Sequence, residues 1–275
     1  MYREPRDVTG VTTLNDKIFV IHNELPFIVV YMSQQPYTRL PNISINGLKS
    51  PYDIAAGSSC LYVCDPGSIA IWRVKAADSK VDQWLSGLAA ASVSVTSEEK
   101  LVLMVAVERQ GRAAERNANY RGEIWIYSAG AVKETVTKLS PYITAPLCVV
   151  MTTRKTFIIS YGCRSHEMNR VCEVDMTGRM LKAFGSSRGK GVGQLKIPWC
   201  VSLDDEERII VIDMGNNRVL LLTKQLMFQR VLVTWHPRPH SDDACHPFRL
   251  HYDRQSGQLL VGLHTGHLDI YQLRA

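Results

Sequence analysis

Short apolar runs separated by polar turns recur along the whole chain. The clearest example lies at 209–222, where Ile209-Ile-Val-Ile212 and Val219-Leu-Leu-Leu222 flank Asp213-Met-Gly-Asn-Asn and Arg218. Neither run alternates apolar with polar residues, as a strand covered on only one face would do. The pattern therefore predicts strands that are buried on both faces and joined by a tight hairpin.

The polar segment has the composition of such a hairpin. Gly215 and the two asparagines after it tolerate positive φ, which tight hairpins require. Asp213 and Arg218 stand on either side of the turn, and we expect a charge-assisted hydrogen bond between them. We interpret the residues of this motif as scaffold: Asp213, Asn217 and Arg218 here, and Asp65 and Arg73 in an earlier unit.

The same strand–turn–strand pattern occurs six times. Its first turn residues lie at positions 23, 65, 108, 161, 213 and 264, which are 42, 43, 53, 52 and 51 residues apart. A period of about 40 to 50 residues with several short strands per unit is typical of a β-propeller. No helical period is sustained over ten residues. We therefore predict an all-β protein, a six-bladed β-propeller of four-stranded antiparallel blades, with blades near 8–47, 48–88, 89–140, 141–193, 194–240 and 241–275.

The last unit contains only three strands before Ala275. A fourth strand would have to come from the other end of the chain, where residues 2–7 are available. Pro5 restricts this segment to an edge position. We expect it to pair outside the sixth blade; the alternative is that the outer strand lies upstream in a longer protein.

Residues 191–222 resemble an NHL repeat, with glycine and leucine before a proline, an apolar strand, and then Asp-x-x-Asn-x-Arg-Val. Parts of the motif recur at Asn169-Arg170-Val171 and at Asp65 and Arg73-Val74. The chain is similar to the divergent NHL-like propellers that are abundant in invertebrate genomes. Such propellers often form the C-terminal module of tripartite-motif ubiquitin ligases, and some bind RNA. The resemblance implies a recruiting module; without RING, B-box or coiled-coil residues in this sequence, it does not imply ligase activity.

Positive charge is concentrated in the predicted loops at one end of the propeller. The formal net charge is +6, and these loops hold twelve Lys or Arg against eight Asp or Glu. The excess is concentrated on adjacent blades three to five, where the insertion 108–123 holds four arginines and the glycine-rich segment 185–196 holds three cations. The segment 108–123 also contains a tyrosine, and 185–196 leads to a tryptophan.

This end of the propeller is the predicted interaction surface, with a protein partner as the first expectation. Single-stranded RNA is the alternative, because guanidinium groups bind phosphates and aromatic rings stack on unpaired bases. The predicted contact residues are Arg109, Arg112, Arg116, Tyr120, Arg121, Arg164, Arg188, Lys190 and Trp199.

Catalysis is not predicted, and no cofactor or metal is expected. The inner strands offer only Asp53 and His251 as ligands, whereas a metal needs three or more protein donors. His236 and His240 lie four residues apart in a histidine-rich segment, but the prolines between and beside them prevent the helix that would align them. A metal-dependent hydrolase of the six-bladed propeller type is a third alternative.

Seven cysteines are scattered without a C-x-x-C pair, and an odd count argues against a disulfide framework. Cys64, Cys148 and Cys172 lie in apolar runs, where a thiol behaves as a small hydrophobic group. No apolar stretch approaches the roughly 20 residues of a membrane-spanning helix, and the charged N-terminus is unlike a signal peptide. These observations predict a reduced, cytoplasmic protein.

Overall fold

The structure is a computed structural model that describes residues 7–107, 121–162, 168–236 and 246–273. Its strands form six antiparallel sheets. The first two sheets comprise β1 (Val8–Leu14), β2 (Lys17–His22), β3 (Phe27–Met32) and β4 (Arg39–Ser44), then β5 (Asp53–Ala56), β6 (Cys60–Asp65), β7 (Ala70–Lys75) and β8 (Val81–Ser86).

The third and fourth sheets comprise β9 (Ala90–Val95), β10 (Leu101–Val107), β11 (Arg121–Tyr127) and β12 (Lys133–Lys138), then β13 (Pro146–Met151), β14 (Phe157–Tyr161), β15 (Arg170–Val174) and β16 (Met180–Phe184). The last two comprise β17 (Pro198–Leu203), β18 (Ile209–Asp213), β19 (Arg218–Leu222) and β20 (Phe228–Thr234), then β21 (Pro247–Asp253), β22 (Gln258–Leu263) and β23 (Leu268–Gln272). A 3-10 turn, Met214–Asn216, is the single helical element among the described residues.

The six sheets are the blades of a closed ring. The first strand of each sheet is innermost, and each inner strand contacts the inner strands of both neighbouring blades, including β21 against β1. Within each sheet the strands follow one another in chain order. The predicted six-bladed β-propeller is therefore confirmed.

The core lies between the blades. All five residues of β14 and of β18 are buried, whereas the outer strand β20 is largely exposed. Clusters of buried side chains extend from one blade to the next, for example from the fourth blade through the fifth to the sixth. Middle strands with both faces covered have no need of alternating polar residues, which explains the continuous apolar runs in the sequence.

The ring closes between the first and the sixth blades. Val8 of β1 is fully buried and packs with Leu260 of β22. A Cβ atom on Gly262 would lie 2.3 Å from Val8 Cγ1, so only glycine allows the two blades to approach this closely. Asp7 Oδ1 lies 2.6 Å from His264 Nδ1 and adds a polar contact at the same junction.

The sixth sheet has three strands within the described residues. Of the segment 2–7, which was expected to supply its fourth strand, residues 2–6 lie outside the described part of the chain. That pairing stays a prediction. No helix in the described ranges is both long and apolar enough to cross a membrane.

Candidate interaction face and central channel

Two kinds of loop share one end of the propeller, which we call the loop face. One kind links the outer strand of a blade to the inner strand of the next, and the other is the hairpin between the second and third strands of a blade. The remaining turns lie at the opposite end. Because links and hairpins alternate around the ring, side chains of one can bind the backbone of the other.

Asp213 performs this role in the fifth blade. Its buried carboxylate accepts hydrogen bonds of 2.7 Å from the backbone N–H of Lys196, from Asn216 Nδ2 and from Arg218 Nε. The predicted charge-assisted bond between Asp213 and Arg218 is thus present. Burial raises the pKa of Asp213, and the three donors act in the opposite direction.

The same motif also holds the glycine-rich link. Arg218 donates to the carbonyl oxygens of Lys190 and Gln194, at 3.2 and 3.0 Å, and Asn216 Nδ2 donates to the carbonyl oxygen of Gly189 at 2.8 Å. The hairpin therefore fixes the backbone of residues 189–194. The glycine-rich composition of the link predicts a flexible segment, but these bonds give it a defined shape beside the fifth blade.

Gly215 is required for a reason different from the one expected. Its φ is not positive; the left-handed residue of the hairpin is Asn217, with φ 52°. Instead, the Gly215 N–H donates to the carbonyl oxygen of Lys196 at 2.7 Å, and a Cβ atom would lie 2.6 Å from that oxygen. The glycine permits a close approach of hairpin and link.

Two other blades use an acceptor in the same way. Asp65 accepts the backbone N–H groups of Lys49 and Ser50, both at 2.8 Å. Asn169 Oδ1 accepts the N–H of Ile197 at 2.8 Å, so the fourth blade also binds the link to the fifth. Each acceptor pairs with backbone N–H groups of a link that no strand partner satisfies.

Arg73 does not correspond to Arg218. Asp65 stands opposite Ala70 in the second blade, just as Asp213 stands opposite Arg218 in the fifth. Arg73 lies further along β7 and forms an ion pair with Asp82 on the outer strand, with a nitrogen–oxygen distance of 2.8 Å. Assigning Arg73 to the hairpin motif is therefore wrong, because the short sequence match slipped along the strand.

A cleft of about 550 Å³ lies beside this hairpin on the loop face, and we call it the basic cleft. Its cations are Arg188, Lys190 and Lys196, and no acidic side chain lines it within the described residues. Trp235 forms part of its wall, with Nε1 donating to Asp269 at 3.0 Å. The remaining lining residues are Gly189, Gly215, Asn216, Asn217, Thr234 and His236.

The predicted contact residues are only partly described. Arg188 and Lys190 are exposed in the basic cleft, and Arg121 is exposed at the start of β11. Trp199 is half-buried, and its ring packs against Phe248 with centroids 4.7 Å apart. The others lie outside the described residues: Arg109, Arg112, Arg116, Tyr120 and Arg164.

A second cavity, of about 510 Å³, occupies the centre of the ring and is lined by inner strands and by turns of the end opposite the loop face. One set of six equivalent inner-strand residues surrounds the axis of the ring, and four of them line the cavity. Its members occupy the same position in successive inner strands, each directly before a buried aliphatic residue. They are Gly10, Asp53, Ser92, Cys148, Cys200 and Arg249.

Arg249 spans this channel from the sixth blade to the first three. Its side chain is almost wholly buried, and it donates to the carbonyl oxygens of Thr9, Tyr52 and Ala91 at 2.7, 2.9 and 3.4 Å. Its Nη1 atom lies 3.9 Å from Asp53 Oδ2. Sequence analysis did not single out Arg249, because the chemistry depends on three backbone carbonyls from distant blades.

The channel does not have the donor set of a metal site within the described residues. Asp53 accepts the backbone N–H groups of Ile54 and Val93, each at 3.0 Å. His251 Nε2 lies 2.9 Å from Thr13 Oγ1, and burial lowers its pKa to about 4. No group of three or more His, Cys, Asp or Glu side chains that could hold a metal ion occurs in the described ranges.

No protein-family model matches the sequence, and no curated protein matches it. Many solved structures do. Virginiamycin B lyase of Staphylococcus aureus superposes with a TM-score of 0.65 at 10% identity, over 99% of this chain and 97% of that one. The WD40 propeller domain of Doa1 gives 0.63 at 12% identity, over 99% and 95%.

A nidogen/laminin complex gives a TM-score of 0.61 at 13% identity, over 84% of this chain and 80% of that one. The three similar structures thus include an enzyme and a chain from a protein–protein complex. Identities this low show the fold alone. The chain is a β-propeller, an architecture compatible with an interaction module.

Proposed function

We propose that this protein is a non-catalytic interaction module that binds an acidic segment of a partner protein in the basic cleft. One observation carries the proposal: three cations line the cleft, and the described lining contains no acidic side chain. A concave surface of one sign attracts a ligand of the opposite sign and raises the rate of association. The amides of Asn216 and Asn217 supply further hydrogen-bonding groups.

The rigidity of the cleft supports the proposal. Asp213 and Arg218 hold the glycine-rich link against the hairpin through bonds of 2.7 to 3.2 Å. A loop that is already ordered loses little conformational entropy when a ligand binds. The exposed charges of Arg188 and Lys190 therefore stand on a fixed frame.

The proposed contact set adds to the cleft the other residues that the sequence predicts for this face. It comprises Arg109, Arg112, Arg116, Tyr120, Arg121, Arg164, Arg188, Lys190 and Trp199. The NHL-like motif of the fifth blade extends the proposal to substrate recruitment in a ubiquitin-ligase system in the cytoplasm.

Single-stranded RNA is the second candidate ligand, since Trp235 and His236 stand beside the cations of the cleft. A base could stack on an aromatic ring while its phosphates bind the cations. The Trp235 ring is itself packed edge-on against Tyr271, with centroids 6.2 Å apart. This packing leaves less of the ring for stacking and favours the protein ligand.

Fluorescence anisotropy with two labelled probes, a deca-glutamate peptide and an oligouridine, tests the proposal. The test variant is Arg188→Glu with Lys190→Glu. The matched control is Lys224→Glu with Arg230→Glu, which changes the net charge equally at exposed positions of the fifth blade away from the loop face. We expect the test variant to bind the peptide at least about tenfold more weakly and the control to bind like the wild type.

Other outcomes separate the candidates. Tighter binding of oligouridine than of the peptide, lost in the test variant and falling steeply with salt, would replace the protein ligand by RNA. Equal weakening by both variants would show only a general charge effect. Absence of binding by either probe at micromolar protein would overturn the proposed function.

A further inference from the structure

Cys148 and Cys200 meet in the central channel. They occupy the same position in the inner strands β13 and β17 of neighbouring blades, and their Sγ atoms lie 3.8 Å apart. A disulfide bond requires about 2.05 Å between the sulfur atoms. The pair therefore lies at van der Waals distance, and the two sulfur atoms must approach by about 1.8 Å to bond.

The pair is reachable from the channel. Both residues line the central cavity of about 510 Å³, whose other lining residues include Glu98, Lys155 and Glu207 from turns at the end opposite the loop face. Small molecules that enter from that end meet the cysteines at the closed end of the channel. The other described cysteines, Cys60, Cys64 and Cys172, do not line this cavity.

The surroundings favour a thiolate on one sulfur. The contact with the Cys148 sulfur, in which either thiol can be the donor, and the positive charge of Arg249 lower the pKa of Cys200, and these effects outweigh the opposing effect of burial. The hydrogen bond to Cys200, together with burial, raises the pKa of Cys148. The Ser92 hydroxyl also donates to Cys148 Sγ, at 3.6 Å. One thiolate beside one thiol is the arrangement of a reactive and a resolving cysteine.

We propose that Cys148 and Cys200 form a modification site, at which hydrogen peroxide generates a reversible disulfide bond between the fourth and fifth blades. The inference does not depend on the proposed function of the loop face. It assigns a redox reaction to the channel, which the NHL resemblance does not imply.

The reaction balances in two steps. The Cys200 thiolate attacks one oxygen of hydrogen peroxide, the O–O bond breaks, and a sulfenic acid and a hydroxide ion form. The Cys148 sulfur then attacks the Cys200 sulfur, the S–O bond breaks, and the S–S bond forms. The protons of the two thiols combine with the oxygen atoms as two water molecules, so the sulfur pair loses two electrons and the peroxide gains them.

The bond would join positions separated by 52 residues. Closing a chain segment of this length restricts the unfolded state, and the effect corresponds to a rise in Tm of about 5–10 °C for a protein of this size. The rise should vanish on treatment with dithiothreitol.

The test treats the full chain with stoichiometric hydrogen peroxide and maps its peptides by mass spectrometry without reduction. We expect a linked peptide pair that contains Cys148 and Cys200, loss of two hydrogen atoms from the intact mass, and the rise in Tm. Cys148→Ser and Cys200→Ser should each abolish the link. Serine suits this position, because Ser92 already occupies it in the third blade.

Cys60→Ser is the matched control, since Cys60 is half-exposed and lies outside the channel. After peroxide treatment, the Cys60→Ser variant should form the link between Cys148 and Cys200 and show the same rise in Tm as the wild type. Circular dichroism of each serine variant verifies the fold. The proposal would be overturned if Cys148 and Cys200 stay reduced while Cys60 oxidises. It would also be overturned if the two residues form separate sulfinic acids.

Discussion

Arg249 Nε donates a hydrogen bond of 2.7 Å to the carbonyl oxygen of Thr9, which joins the sixth blade to the first across 240 residues of sequence. Further bonds from the same guanidinium reach the second and third blades. A single buried side chain thus links four of the six blades. The closed ring therefore depends on polar contacts at its centre as well as on apolar packing between blades.

Replacing Arg249 should destabilise the protein strongly. Arg249→Met leaves the buried Asp53 carboxylate without its cation and three carbonyl oxygens without donors. We expect a loss of about 3–5 kcal/mol in the free energy of unfolding, measured by chemical denaturation. Adding Asp53→Asn should recover part of the loss. Arg230→Met, at an exposed position, is the control, and a loss below about 1 kcal/mol for Arg249→Met would contradict the assigned role.

The Asp213–Arg218 pair provides a comparison of buried and exposed ion pairs. The Arg218 side chain is 12% exposed and the Asp213 side chain 0%, whereas Arg179 is 76% exposed in its pair with Asp175. Arg218→Ala should lower the free energy of unfolding by about 2–4 kcal/mol in chemical denaturation, because the buried Asp213 carboxylate loses its partner. Arg179→Ala should lower the free energy of unfolding by less than about 1 kcal/mol, because its ion pair is exposed to solvent.

Arg218→Ala should also increase amide hydrogen exchange in residues 189–194, because two backbone carbonyls of that segment lose their donor. Hydrogen-exchange mass spectrometry measures this effect. Exchange there that equals the wild type would mean that the link holds its shape without Arg218.

The junction of the first and sixth blades gives a steric prediction. Gly262→Ala places a methyl group 2.3 Å from Val8 Cγ1, and we expect a loss of about 2–3 kcal/mol in thermal or chemical unfolding. Adding Val8→Ala should relieve part of the clash, because the Cβ atom of residue 8 would still lie 2.7 Å from the new methyl group. Gly130→Ala is the control, because its nearest contact would be an ordinary 3.8 Å to Ser128 Oγ; equal losses in both glycine variants would contradict the junction's tight packing.

His251 should make the stability depend on pH. Burial lowers its pKa to about 4, while the unfolded chain has a value near 6.5. The unfolded state therefore binds more protons between these values. The contribution of neutral His251 to the free energy of unfolding is complete above about pH 6.5 and declines as the pH falls. By about pH 5 the protein should have lost about 2 kcal/mol of stability.

His251→Gln, which does not titrate, should remove that part of the pH dependence. The charged neighbours that act on His251 are Asp253, which raises its pKa, and Arg254, which lowers it, and the Thr13 hydroxyl contacts its ring. The check is denaturant unfolding at about pH 7.5 and about pH 5. An unchanged difference between the two pH values would show that His251 does not account for it.

The local sequence pattern was sufficient to predict the blades and one side-chain contact, the Asp213–Arg218 bond. The continuous apolar runs at 209–212 and 219–222 predicted strands with two covered faces, and β18 is buried throughout. The Asp213–Arg218 bond was also predicted, since its partners flank a short turn. Arg73 was misplaced because a match of one or two residues does not fix register along a strand.

The cysteine pair left a signal that the sequence analysis did not use. Cys148 and Cys200 are 52 residues apart, the same spacing as between positions 161 and 213 of the fourth and fifth units. Equivalent positions in neighbouring repeats are close in a ring. A count of cysteines over the whole chain carries no information on which of them occupy equivalent positions in neighbouring blades.

The sequence by itself determined that six similar sheets would form, because burial on two faces imposes its own local pattern. Only the tertiary structure decided which residues meet at the axis of the ring. Ring closure brings one position of every blade to a common centre, and there Arg249 contacts Asp53 and Cys148 contacts Cys200. Contacts between positions separated by 52 to 196 residues depend on the angle between blades, which no local pattern encodes.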